Sequence, residues 1–223
     1  VASPGFFVTG CARFDPRTHA ACALVRALRK SGIDVGAMKP VETGWHDRGR
    51  EAVMELVRAA GDGDALDDVC PFPFELEASP IVAARAADRP IDPFEIESAF
   101  ARISARRAAV IVEGAGGLLS TVCDGVAMAE LAGRLGLPLV LVESADEGAA
   151  ERLDLVCEAA MVRGLEVVGV ILSRRASAAG PGVEAELDWL RMWLGGLLVG
   201  VVTAAEPGAE EQLDVSRILE ELR

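Results

Sequence analysis

Tyrosine is absent from this 223-residue chain, aromatic residues make up 4%, and lysine occurs only at Lys30 and Lys39. With so few rings, the core must be built from Ala, Val, Leu and Ile, and half-hydrophobic composition (51%) predicts a packed globule rather than disorder. Positive charge is scarce as well. The formal net charge of -13 repels phosphate backbones and anionic lipids, and no basic patch offsets it, so neither nucleic acid nor a membrane surface is an expected partner. The apolar runs are strand-length, too short to cross a bilayer. No basic segment followed by an apolar stretch marks a secretory signal near the N-terminus. Cys11, Cys22, Cys70, Cys123 and Cys157 form no CxxC pair, and His19 and His46 stand alone. That pattern excludes a zinc or disulfide framework and predicts free, mostly buried thiols.

What is present is a regular alternation. Strands are predicted at Phe6–Gly10, Ile33–Met38, Ala109–Glu113, Leu139–Val142, Val167–Leu172 and Leu197–Val202. Each run is apolar throughout, as in strands buried on both faces. Helical patterns separate them, such as Ala20–Lys30 with Leu24 and Leu28 on one face. Parallel βαβ units follow, giving an α/β fold: a parallel β-sheet with helices on both faces. A mostly helical segment, Glu42–Ala108, is inserted between the second and third strands and interrupted at Pro71-Phe72-Pro73. Leu187, Leu190, Trp193 and Leu194 have amphipathic helical spacing and are expected in the core. No repeat or linker divides the chain, so residues 1–223 are read as one domain. Ligands of such sheets sit at the carboxyl ends of the strands, which directs attention to the loops after Thr9, Met38, Val112, Val142 and Leu172.

Those loops carry the chemistry. Lys39, just past a strand end, suits an anionic oxygen as a point charge. Thr43 can hydrogen-bond the same group. Glu113 lies at a strand end beside Gly114, Gly116 and Gly117. A carboxylate there is a good metal ligand, and the glycines allow close approach of a phosphorylated group. A structural ion pair between Lys39 and Glu113 is the plainer alternative.

The stretches Phe7-Val8-Thr9-Gly10, Met38-Lys39-Pro40-Val41-Glu42-Thr43-Gly44 and Val112-Glu113-Gly114-Ala115-Gly116-Gly117 resemble the dethiobiotin synthetase family in order and spacing. Ser79-Pro80 and Arg89-Pro90-Ile91 fit its middle segment. The resemblance implies a fold like that of the P-loop NTPases and a cytoplasmic homodimer. It further implies an enzyme that uses ATP, magnesium and carbon dioxide to close a ureido ring on 7,8-diaminopelargonic acid. Carried onto this sequence, it makes Lys39, Thr43 and Arg17 candidate catalytic residues. Gly10, Arg17, Thr18, Gly114, Gly116 and Gly117 would hold nucleotide, and Thr18, Glu51 and Glu113 would bind magnesium.

The departures from the family pattern cluster. Where the family has Gly-Lys-Thr in its phosphate loop, this chain has Pro16-Arg17-Thr18. Pro16 has no N–H to donate, and the Arg17 fork does not match a cradle shaped for an ammonium. Asp15-Pro16 reads as a helix cap, a built-in anion where a triphosphate should bind. The family's Asn-His at the helix after the fourth strand is Glu151-Arg152, and Ser144-x-x-Glu147 reads as a capping box there. Asp146, Glu147 and Glu151 would oppose a carboxylate substrate. Ser173-Arg174 stand for the family's base-reading Asn-Asp, Thr203 for its last-strand Pro, and Glu51 for its magnesium-binding Asp. Two readings stay open from sequence: a working synthetase with divergent motifs, or an inactive relative keeping the fold and dimer surface for binding or regulation. A third, an amidotransferase-type ligase or partitioning ATPase, needs the same altered phosphate loop.

Overall fold

Short β-branched and leucine-rich runs become strands because their side chains pack well on both faces of a pleated surface. The computed structural model describes residues 4–11, 17–174, 180–203 and 208–222. In chain order these form β1 (Gly5–Thr9), α1 (Arg17–Lys30), β2 (Val35–Met38), β3 (Val41–Thr43), α2 (Arg50–Ala60), α3 (Leu66–Val69) and β4 (Phe72–Phe74). There follow α4 (Pro80–Ala86), α5 (Pro93–Ser104), β5 (Ala109–Glu113), β6 (Thr121–Cys123), β7 (Val126–Ala127), α6 (Met128–Leu135) and β8 (Leu139–Ser144). The last elements are α7 (Ala149–Val162), β9 (Val167–Arg174), α8 (Pro181–Leu194), β10 (Leu198–Thr203) and α9 (Ser216–Glu220).

All six strands expected from the sequence enter one sheet, in the order β10-β9-β8-β1-β5-β2, and every pairing in it is parallel. Phe6 and Phe7 point to opposite faces of β1 and are fully buried, Phe6 among residues of α1 and Phe7 among residues of α5, α6 and α7. Each such side chain contributes roughly 2–3 kcal/mol of apolar burial. Helices therefore cover both faces. Around β1 the order reverses: β5 and β2 lie on one side and β8, β9 and β10 on the other. That arrangement opens a crevice outside its carboxyl end.

The inserted segment is mostly helical, as expected, but its proline-rich interruption is a strand. β4 pairs in parallel with β3, Glu42 opposite Pro73, and proline is tolerated there because this two-stranded sheet has only edges. Two sequence expectations need correction. In α8, Leu187, Leu190 and Leu194 are buried, but Trp193 is 42% exposed and stacks on Trp189, with ring centroids 5.7 Å apart. Four residues separate the two indoles along the helix, so one can cover the other without either reaching the core. The cysteines are all free, but Cys22 and Cys70 alone are fully buried, while Cys11, Cys123 and Cys157 are half-buried. Burial pushes the Cys22 and Cys70 thiols up to about 12, so neither is a nucleophile at neutral pH.

Candidate active site

The carboxyl ends of β1, β2 and β5 deliver Thr18, Lys39 and Glu113 to one place. Lys39 follows β2 directly, and its backbone N–H is anchored on the Val69 carbonyl at 2.8 Å. Its ammonium lies 3.0 Å from Glu113 Oε1, 2.5 Å from Glu42 Oε2 and 3.0 Å from Thr18 Oγ1. Thr18, in the first turn of α1, donates its hydroxyl to Glu113 Oε1 at 2.7 Å. Lys39 and Glu113 are both nearly inaccessible. Burial alone would lower the lysine pKa, but the Glu113 and Glu42 carboxylates outweigh it and hold Lys39 above the ordinary lysine range. Lys39 is thus a fixed cation at any physiological pH and no general base. Burial raises the Glu42 carboxyl, although Lys39 opposes that shift.

These groups line a cavity of roughly 610 Å³ together with Arg17, Thr43, Gly44, Asp47 and the loop from Gly114 to Gly116. Arg17, at the start of α1, donates to the Gly114 carbonyl at 2.9 Å and also to that of Gly116. Gly116 has a φ of 81°, which bends the loop so that its carbonyl meets the guanidinium. Gly117 stands behind the cavity wall. A Cβ there would lie 2.4 Å from the Cys11 carbonyl oxygen, so this loop can pack against the one after β1 only as glycine. The Leu118 N–H closes the contact on the Gly10 carbonyl at 2.9 Å. Gly10, Arg17, Thr18, Lys39, Thr43, Glu113, Gly114, Gly116 and Gly117 are accordingly brought together. Asp15 and Pro16 lie outside the described residues.

Glu51 is not brought in. It sits on the outer side of α2, exposed, in an ion pair with Arg58 at 2.8 Å that keeps its carboxyl below the usual range. The neighbouring Ala52 and the preceding Asp47 face the cavity instead. Sequence reasoning gave no role to Glu42 or Asp47. Its place one residue before Thr43 in the same motif could have flagged Glu42, but Asp47 reaches the wall through a π-helical turn, Trp45–Gly49, that has no clear sequence signature.

The donor set can be tested for a divalent cation. Thr18 Oγ1 and Glu113 Oε1 are 2.7 Å apart, a few tenths of an ångström short of the edge of about 3.0 Å that an octahedron with metal–oxygen distances of about 2.1 Å requires. Glu113 Oε2 is buried and has no hydrogen-bond partner. No group of three His, Cys, Asp or Glu is placed for metal among the described residues. The pair therefore fits magnesium, which takes few protein ligands and completes its shell with phosphate oxygens and water, and it does not make a cage for calcium or zinc.

The second altered region differs from the sequence expectation. β8 continues through Ser144, and α7 begins only after Gly148, whose φ of 79° places it in the left-handed region with no side-chain cap. Ser144 is not an N-cap, because its position belongs to the sheet, opposite Ser173 of β9. Arg152 organises the turn. It donates to Glu143 Oε1 (2.9 Å), Asp146 Oδ1 (2.5 Å) and the Ser144 (3.3 Å) and Glu147 (3.1 Å) carbonyls. One guanidinium serves both Glu143 and Asp146, so it offsets part of the turn's negative charge.

The model of the AAA domain family matches residues 5–207. An ATP-dependent dethiobiotin synthetase BioD from Anaeromyxobacter dehalogenans (strain 2CP-C) is 39% identical over 180 residues, covering 80% of each chain. Another from Aromatoleum aromaticum is 34% identical over 201 residues, covering 88% of this chain and 89% of its own. Among solved structures, a putative plasmid partition protein from Borrelia burgdorferi B31, bound to AMPPNP, aligns with a TM-score of 0.59 at 9% identity. That alignment covers 99% of this chain and 98% of the partition protein. The signal recognition particle receptor FtsY from Elizabethkingia anophelis, in complex with GDP, aligns with a TM-score of 0.56 at 13% identity, over 98% of this chain and 63% of FtsY. At such identities the two structures speak for the fold alone, the parallel sheet of the P-loop NTPases. Identities of 39% and 34% over four fifths or more of the chain place this protein in the dethiobiotin synthetase family.

Proposed function

We propose that the chain is an ATP-dependent dethiobiotin synthetase that holds its nucleotide weakly. It would close a ureido ring on 7,8-diaminopelargonic acid with ATP, magnesium and carbon dioxide. The observation that carries the reading is the convergence of Thr18, Lys39 and Glu113 on one cavity wall. Lys39, always charged, binds a carbamate or phosphate oxygen, and Thr43 hydrogen-bonds the same substrate. Glu113 and Thr18 would hold magnesium, which neutralises phosphate charge when bound. The glycine loop lets the phosphorylated substrate approach the backbone. The whole chain serves as one catalytic domain, working in the cytoplasm as a homodimer with no nucleic-acid or membrane partner. No described helix is long and apolar enough to cross a membrane. Light scattering should give twice the chain mass at micromolar concentration; a clean monomer would speak against the dimer.

One observation favours the inactive alternative. The Arg17 guanidinium, standing where the family's phosphate loop has lysine, is spent on the carbonyls of Gly114 and Gly116. The test is turnover of ATP dependent on diaminopelargonic acid and bicarbonate, with calorimetry of Mg-ATP and of diaminopelargonic acid. Substrate-dependent turnover is expected; its absence at saturating ligands would leave the binding-protein reading. An ATP dissociation constant in the low micromolar range would refute the weak hold. Restoring the loop with Pro16→Gly and Arg17→Lys should tighten ATP by about tenfold, the worth of one charge-assisted hydrogen bond, and Asp15→Gly should tighten it further.

A further inference from the structure

We propose that Glu42 is the positioning residue for Lys39, an inference that rests on the synthetase reading for its catalytic consequence but not for its geometry. The Lys39 ammonium is ringed by three oxygens: it donates a hydrogen bond to Thr18 Oγ1 and forms ion pairs with Glu42 and Glu113. Glu113 and Thr18 are the two groups that fit a cation. When they turn to a ligand, Glu42 is the partner left to keep the ammonium on the cavity wall. Its contact is the shortest of the three, at 2.5 Å. Its other oxygen accepts the Thr43 N–H at 2.8 Å, so the carboxylate is gripped from both sides and cannot follow Lys39 if the lysine swings away. β3 and β4 hold the backbone beneath it, with Glu42 paired to Pro73. A second carboxylate also changes the charge balance. With Glu113 committed elsewhere, Lys39 and Glu42 form a neutral pair beside the phosphates. Without Glu42, Glu113 is the one carboxylate left beside the ammonium, which would compete for it.

The scarcity of lysine makes the test clean. In protein labelled with 15N-lysine, Lys39 and the exposed Lys30 are the only two ammonium signals. Lys39 should show slow hydrogen exchange and Lys30 fast exchange. In Glu42→Ala, Lys39 exchange should become about tenfold faster, because the shortest ion pair holding the ammonium is lost. Glu42→Gln, whose single amide oxygen can replace only one of the two carboxylate oxygens, should fall between the wild type and the alanine variant in exchange and guards against a folding artefact in the latter. In steady state, Glu42→Ala should lower kcat by about 100-fold, as misplacing a catalytic group by an ångström does. KM for diaminopelargonic acid should move far less, and Glu42→Gln should recover part of kcat. Unchanged Lys39 exchange in Glu42→Ala overturns the positioning role, whatever the activity. Faster exchange with kcat intact overturns its catalytic consequence. Faster exchange in a chain whose wild type has no synthetase turnover supports the positioning role and sinks the proposed function instead.

Discussion

Lys39→Ala is expected to reduce turnover by at least about 100-fold, the loss seen when a preorganised charge at a reacting oxygen is removed. It is also expected to cost about 3–5 kcal/mol of stability, because removing one partner of a buried ion pair leaves uncompensated charge. Glu113 and Glu42 would face each other across the vacated ammonium position, with side chains 3% and 12% exposed. Two buried carboxylates cannot both stay ionised there without cost, and the Glu42 carboxyl, which burial already raises against the pull of Lys39, should titrate higher still in the variant. The sign of the pH dependence follows. A carboxyl whose folded pKa is raised favours the folded state below its unfolded value, near 4.3, and loses that contribution as pH rises through the folded value. Lys39→Ala should therefore lie closest to the wild type in mildly acidic buffer and fall away towards neutral pH. Urea denaturation at several pH values checks this, with turnover measured in parallel. A variant as stable as the wild type at pH 7 would mean that the two carboxylates are far better solvated than their burial indicates.

Arg152→Ala should destabilise the fold by about 2–3 kcal/mol, towards the low end for a broken buried pair because the arginine is itself about a third exposed. The cause is Glu143. Its side chain is 5% exposed at the end of β8, it meets Arg152 at 2.9 Å, and its second oxygen already lacks a partner. Asp146 and the carbonyls of Ser144 and Glu147 lose their donor at the same time. The effect should extend to the loop after β1, since the Cys11 thiol donates to the Arg152 carbonyl at 2.8 Å and the start of α7 would loosen. Ser144→Ala is the contrast. A true cap would cost roughly 1 kcal/mol on removal, but Ser144 is a strand residue with no capping bond, and its loss should stay within about 0.5 kcal/mol. Denaturant midpoints of the two variants decide between the clasp and the capping box. A larger effect for Ser144→Ala than for Arg152→Ala would restore the capping box.

The sequence by itself determined the sheet and the loops to search. Six runs such as Ala109–Glu113 and Leu139–Val142 could only be doubly buried parallel strands, because continuous apolar patterning has no solvated face. Strand endings then fixed which loops meet at the carboxyl edge, so Gly10, Lys39 and Glu113 could be grouped before any distance was known. The family motifs were equally legible, being local in sequence and tied to tight backbone geometry.

Only the tertiary structure decided the partners of charged groups. Glu51 and Asp47 are four residues apart and both acidic. Which of them faces the cavity depends on the phase of α2 and on the π-helical turn before it, and one extra residue per turn rotates every later side chain. At Ser144, the Ser-x-x-Glu pattern competed with two more residues of β8 pairing, and the ladder with β9 prevailed because it satisfies backbone groups that a buried turn would leave unpaired. Arg152, nine residues beyond Glu143, reaches back to it only because Gly148 turns the chain through a left-handed conformation. Long flexible side chains such as Arg and Lys choose among several acids by distance and burial, and a linear sequence specifies neither.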